Sequence, residues 1–148
     1  MKVILLCSVL FLMIGCSSSQ PNNLLSPKSS SCADLFAKAI VTPTVVKGSY
    51  ECLSKNDQDQ WSAAGFASND QDIANQVQTV PPSTEKECGP MKTFDETHNV
   101  KFYLLTWNSD GQKVLLRLIT NKSDNLVDGI HHFIGNTCKD AKVLTYYD

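Results

Sequence analysis

Asp128, His131, His132 and Arg117 are the residues of this chain best suited to moving a proton or holding an anion. Side chains alternate across a strand, so Asp128, Ile130 and His132 are expected on one face and Val127, His131 and Phe133 on the other. A carboxylate two residues from an imidazole on the same face can orient the ring, which makes Asp128 and His132 the candidate acid–base pair. The two neighbouring histidines diverge and do not suit a single metal ion. Arg117 is the one charge within residues 114–119 and shares a face with Leu115 and Ile119. Its planar fork of donors matches a carboxylate, so it is the candidate anion holder. Tyr50, Tyr103 and Trp107 are the aromatic residues that could line a common cavity with it. Each of these has a plainer use: a solvent-facing arginine, an edge-strand histidine, aromatic core and cross-strand pairs.

Other chemistry has less support. No serine lies in a G-x-S-x-G context, the seven glycines are scattered, and no pair of cysteines has C-x-x-C spacing. The expectation is therefore no metal, no cofactor and no assigned catalytic group. Asn121-Lys122-Ser123 is a glycosylation sequon, meaningful only in a eukaryotic host. A net charge of -2 without a basic block excludes a nucleic-acid footprint.

The six cysteines divide by position. Cys7 lies inside an apolar run and Cys16 directly behind it, leaving Cys32, Cys52, Cys88 and Cys138, an even set. Of the three connectivities open to them, Cys32 with Cys52 and Cys88 with Cys138 is the favoured one. The first pair closes a short loop within a helical half; the second ties a long loop to the C-terminus. Each bridge restricts the unfolded chain and is expected to contribute about 3–4 kcal/mol.

The N-terminal run that contains Cys7 is itself informative. Lys2 precedes a dozen nearly uninterrupted apolar residues (3–14), too few for the roughly 20 that cross a bilayer. The sequence Leu12-Met13-Ile14-Gly15-Cys16 then resembles the lipobox of bacterial lipoproteins, with Met13 in place of the usual leucine. The resemblance implies removal of residues 1–15, acylation of Cys16 and attachment to a membrane of the bacterial envelope through that lipid. An ordinary signal peptide, cleaved near residues 15–18 and releasing an unanchored secreted protein, is the alternative. Residues 16–31, rich in Ser, Asn and Pro, then form a tether with an r.m.s. reach of about 20 Å.

Residues 32–148 form a single α+β domain in this reading. Cys32, Leu35, Phe36, Ala39 and Ile40 recur with helical spacing behind Ser31 as N-cap and Asp34 in the first turn. Pro43 is placed to open a second helix carrying Val46, Tyr50 and Leu53, although Gly48 opposes it and a short strand over 49–53 competes. A helix from Asn56 turns Trp61 and Ala64 inward, and Ser68 with Gln71 resembles a capping box for a helix through Ile73, Ala74 and Val77. Residues 83–98 read as a long turn-rich loop. The period then changes: 100–107 and 113–120 are β-rich runs joined at Gly111, 126–134 follows, and 142–147 supplies a last strand. Helices first and an antiparallel meander second define an α+β fold.

This order is similar to the nuclear-transport-factor-2-like cone fold. The segments that carry the likeness are LFAKAIV, a Tyr-x-Cys-Leu-Ser stretch and a glutamine-rich run ending in Trp61. The likeness implies a curved sheet around helices with a pocket between them; a cystatin-like sheet over one helix is the nearest competitor. The functional expectation is a lipid-anchored envelope protein whose disulfide-stapled domain binds a small molecule or an envelope protein without catalysis. The alternative is a small cone-fold enzyme using Asp128, His132 and Arg117.

Overall fold

The computed structural model describes residues 30–79 and 82–144. The expected leader, Cys16, nearly all of the expected tether, residues 80 and 81 and residues 145–148 lie outside the described residues. The elements are α1 (Cys32–Ala39), α2 (Lys55–Ala63), α3 (Asp70–Gln78), β1 (Ser83–Glu87), β2 (Lys92–Thr93), β3 (His98–Trp107), β4 (Lys113–Asn121), β5 (Val127–Ile134) and α4 (Ala141–Leu144). The fold is α+β: the first three helices cover one face of an open five-stranded antiparallel sheet, ordered β1-β3-β4-β5 with β2 also on β3.

Each of the first three helices begins where a side chain takes up free backbone N–H groups. Ser31 caps α1 as its spacing predicts, accepting from Asp34 N at 3.2 Å while its own hydroxyl donates to Asp34 Oδ2 at 2.7 Å. Ser54 caps α2. The cap of α3 is Asn69, one residue later than the expected Ser68: Asn69 Oδ1 accepts from Asp72 N, and Asp72 Oδ2 accepts from Ser68 N. Asp72 therefore takes the reciprocal role assigned to Gln71.

No helix starts at Pro43. Gly48 has φ +83°, a left-handed turn that ends any helical run, and the donors that follow it turn to Asp70 instead. Asp70 Oδ2 accepts from Gly48 N at 2.7 Å, and Oδ1 accepts from Tyr50 N at 2.7 Å and Ser49 Oγ at 3.0 Å. This clamp leaves only a 3-10 turn at Tyr50–Cys52. Leu53 beyond it forms a parallel bridge to Val127.

Three further expectations are corrected. The segment read as a loop is an interrupted edge strand, with Ser83–Glu87 paired to the last half of β3 and Lys92–Thr93 to its start. Cys88-Gly89-Pro90 breaks it, and Cys88 N still donates to Phe102 O at 2.8 Å. Residues 142–144, expected in a strand, belong to the short helix α4. Ala64, expected inside, is exposed, whereas Trp61 is half-buried.

The sheet separates two apolar clusters. Under α1, α2 and α3 lie Phe36, Leu53, Tyr103, Leu105, Leu116 and Leu118. On the opposite face Val100, Phe102 and Leu115 pack with Ala141 of α4. The cystines are Cys32–Cys52, which joins α1 to the 3-10 turn, and Cys88–Cys138, which joins the broken edge strand to the segment before α4.

Candidate functional site

Between the helical layer and the sheet an open apolar cavity of about 360 Å³ remains unfilled. Its helical wall is Phe36 from α1 and Ile40 just past its end, Trp61 from α2, Phe66 behind it, and Ile73 and Val77 from α3. The rings of Phe36 and Trp61 meet edge-on at 5.4 Å and those of Trp61 and Phe66 at 6.2 Å. Gly65, at φ +72°, turns the chain so that Phe66 returns over Trp61, leaving Phe66 58% exposed at the mouth. The sheet wall is Ser83, Leu105, Trp107, Ile130 and His132, and Gln76 stands at the rim.

Register explains how these side chains reach one face. Ser83 pairs with Trp107 across the β1–β3 ladder, and Ile130 and His132 pair with Leu118 and Leu116 across β4–β5. A β-bulge sits in β5: Val127 opposes Thr120, yet Gly129 already opposes Ile119. Asp128 is the extra residue, and beyond it the alternation is reversed. Ile130 and His132 thereby join Val127 on the helical side, while His131 and Phe133 turn away.

The sequence-derived candidates are thus divided. Trp107 and His132 line the cavity. Asp128 does not share a row with His132; its Oδ2 lies 3.3 Å from Nε2 of His98, whose Nδ1 faces Asp95 at 3.3 Å. Arg117 pairs with His131 on the far face, its guanidinium over the rings of Phe133 at 5.0 Å and Phe94 at 5.8 Å. Tyr103 is 1% exposed and donates its hydroxyl to Asp34 Oδ1 at 2.7 Å, part of the joint between α1 and β3 rather than of the cavity wall. Tyr50 donates to Gln58 O at 3.1 Å. Asp128, Arg117 and His132 accordingly do not face a common space.

The electrostatics follow from burial and partners. Burial, with His131 beside it, lowers the His132 pKa and favours the neutral imidazole at the cavity wall. Burial likewise lowers the pKa of Arg117. Burial would raise Asp34, but hydrogen bonds from Lys101, Ser31 and Tyr103 outweigh it and hold this carboxylate below its ordinary range. Lys101 Nζ, nearly buried, lies 2.6 Å from Asp34 Oδ1 and 3.1 Å from Glu87 Oε1. The first of these ion pairs fastens α1 onto the sheet, and the second ties β3 to the edge strand β1. Burial, reinforced by Asp128, raises the pKa of Asp57.

Phe66 and Ser83 are cavity residues that the sequence reading missed. Phe66 follows the glycine of a helix end, and Ser83 opens a strand whose remaining residues are all exposed, so neither carries a hydropathy signal. Among the described residues no group of three or more His, Cys, Asp or Glu is placed to hold a metal ion, and no helix is long and apolar enough to cross a membrane. No protein-family model, curated protein or solved structure matches this chain.

Proposed function

We propose that this chain is an exported protein held to a bacterial envelope membrane by lipid on Cys16, and that its stapled domain is a non-catalytic binding module. The observation that carries the binding role is the open apolar cavity walled by Trp61, Phe66 and Trp107. Pockets of this size and composition bind small apolar ligands. The two cystines support an oxidising compartment, where such bonds persist. The lipobox-like segment supports the anchor, since a diacylated cysteine supplies the two chains that stable attachment needs.

Both tryptophans of the chain line the cavity, so their fluorescence reports its occupancy. Titration with the uncharged dye N-phenyl-1-naphthylamine should quench the tryptophans and brighten the dye, and Val77→Phe, which fills the cavity, should abolish both changes. An unaltered signal from wild-type protein would refute the binding role. For the anchor, labelled palmitate should enter the wild-type chain and not Cys16→Ser, and the label should fractionate with membranes. An unlabelled, soluble wild type would mean a secreted domain without an anchor.

A further inference from the structure

We infer that the cavity takes an uncharged amphipathic ligand, an aromatic or aliphatic body with one hydroxyl-like group, whose polar end meets the hydroxyl of Ser83. This rests on the reading of the cavity as a ligand site and names the chemistry that site selects.

Charge is the first argument. Among the described residues, the walls hold no carboxylate, ammonium or guanidinium. The one titratable side chain there is His132, and burial favours its neutral form. An ionic ligand entering such walls loses its water without meeting a counter-charge. Lys101 and Asp34 serve the neighbouring helix–sheet joint, and Arg117 stands on the other side of the sheet.

Ser83 is the second. It is 9% exposed, and its Oγ is buried with no hydrogen-bond partner. A buried hydroxyl is ordinarily paired, and an orphan at the wall of a cavity calls for a partner from within that cavity. The backbone of Ser83 is fixed by its ladder position opposite Trp107, while the hydroxyl can rotate to donate or to accept. A ligand hydroxyl, ether or carbonyl satisfies it; a purely hydrocarbon ligand leaves it unpaired.

The third is shape. The edge-on rings of Phe36, Trp61 and Phe66 offer an aromatic wall to a flat or flexible apolar body, and a bicyclic one is well within 360 Å³.

The test is calorimetric titration of the oxidised protein at pH 7.4 with four probes sharing one ring system. These are 1-naphthalenemethanol, 1-naphthoate, 1-naphthylmethylammonium and 1-methylnaphthalene. The alcohol should bind, with both ions at least tenfold weaker. Ser83→Ala should weaken the alcohol roughly two- to tenfold, the value of one hydrogen bond, and leave 1-methylnaphthalene unchanged. Ser83→Thr, which keeps the hydroxyl, should retain the alcohol. The Ala variant should also melt no lower than wild type, since the hydroxyl it removes is unpaired; a clear drop would show a structural role for Ser83 and overturn its assignment as anchor. Ions that bind as well as the alcohol would overturn the charge selection, and an unchanged alcohol affinity in Ser83→Ala would overturn the anchor. Failure of all four probes would instead sink the binding role on which the inference rests.

Discussion

Converting Cys88 and Cys138 together to alanine, or Cys32 and Cys52 together, should destabilise the domain by an amount set mainly by the loop each bridge closes. The sequence separations are 50 and 20 residues, and the two loops do not overlap along the chain. Loop-closure entropy gives about 4.1 kcal/mol for the longer and about 3.3 kcal/mol for the shorter at 25 °C. Because the loops are separate, the losses should add to first order, reaching roughly 7 kcal/mol. A domain of this size has a total stability of about 5–15 kcal/mol, so the quadruple variant loses between about half of it and all of it. Cys52 is buried, so the shorter-loop variant also leaves a small void and its loss exceeds the entropic figure. The assay is urea unfolding of the oxidised wild type and the three variants, followed by the fluorescence of Trp61 and Trp107. A double variant within about 1 kcal/mol of wild type would refute the reasoning, because it would mean that the bridge leaves the unfolded ensemble unrestricted.

Gly135→Ala should destabilise by about 1–3 kcal/mol, since a Cβ there would lie 2.7 Å from Leu115 Cδ1 and 2.9 Å from its Cγ; a wild-type urea midpoint would contradict this packing. Asp34→Ala should cost about 1–3 kcal/mol, because it takes partners from both the nearly buried Lys101 ammonium and the Tyr103 hydroxyl, and Tyr103→Phe should cost about 1 kcal/mol; equal losses in a thermal melt would argue against Asp34 as the shared hub. Stability should fall on acidification in two limbs. Burial, with His131 adjacent, places the folded His132 pKa below its ordinary 6.5, so the unfolded chain takes the proton first and stability present above pH 6.5 is lost as pH falls through the folded value. Asp34 and Asp70, both held low by hydrogen bonds that outweigh burial, add a second limb: their contribution is complete above the unfolded value of 3.8 and disappears as pH falls through the lower folded values. Melting midpoints between pH 7 and 2 should show both limbs. His131, lowered by burial and by Arg117, shares the first, so His132→Gln should reduce that limb and leave the share of His131; a first limb unchanged in that variant would place its origin elsewhere.

Legibility in the sequence followed the strength of the local signal. The N-cap at Ser31, the β3–β4 hairpin and the cystine pairing were readable because each rests on a strong local or countable feature: a capping residue before a periodic run, two apolar strands flanking a glycine turn, four paired cysteines in an ordered chain. The edge strand β1 was not, because four of its five residues are exposed and its composition, Ser-Thr-Glu-Lys-Glu, looks like that of a loop. An edge strand gains its pairing from the neighbour, here β3, and charged side chains on it discourage pairing with other chains. The helix expected from Pro43 failed for a tertiary reason: Asp70, 20 residues on, outcompetes helical acceptors for the N–H of Tyr50.

The candidate site turned on one residue that hydropathy does not mark. Strict alternation along β5 would send His131 and Phe133 into the cavity with Val127 and turn His132 outward, because one residue of slip exchanges the faces of a strand. Val127 is held from two sides, paired with Thr120 in the sheet and bridged to Leu53, with Ser54 N donating to Val127 O at 2.7 Å. Gly129 admits the close approach of Ile119, whose Cβ would lie 3.3 Å from any added methyl. With both ends fixed, the extra residue Asp128 must bulge, and its carboxylate is turned toward His98. The bulge thereby separates Asp128 from His132, placing Ile130 and His132 on the helical side while His131 joins Arg117, which β4 turns to the other face. The cavity consequently receives Ile130 and a neutral His132 while Arg117 stays on the far face, and walls without a charge are what the proposed uncharged ligand requires.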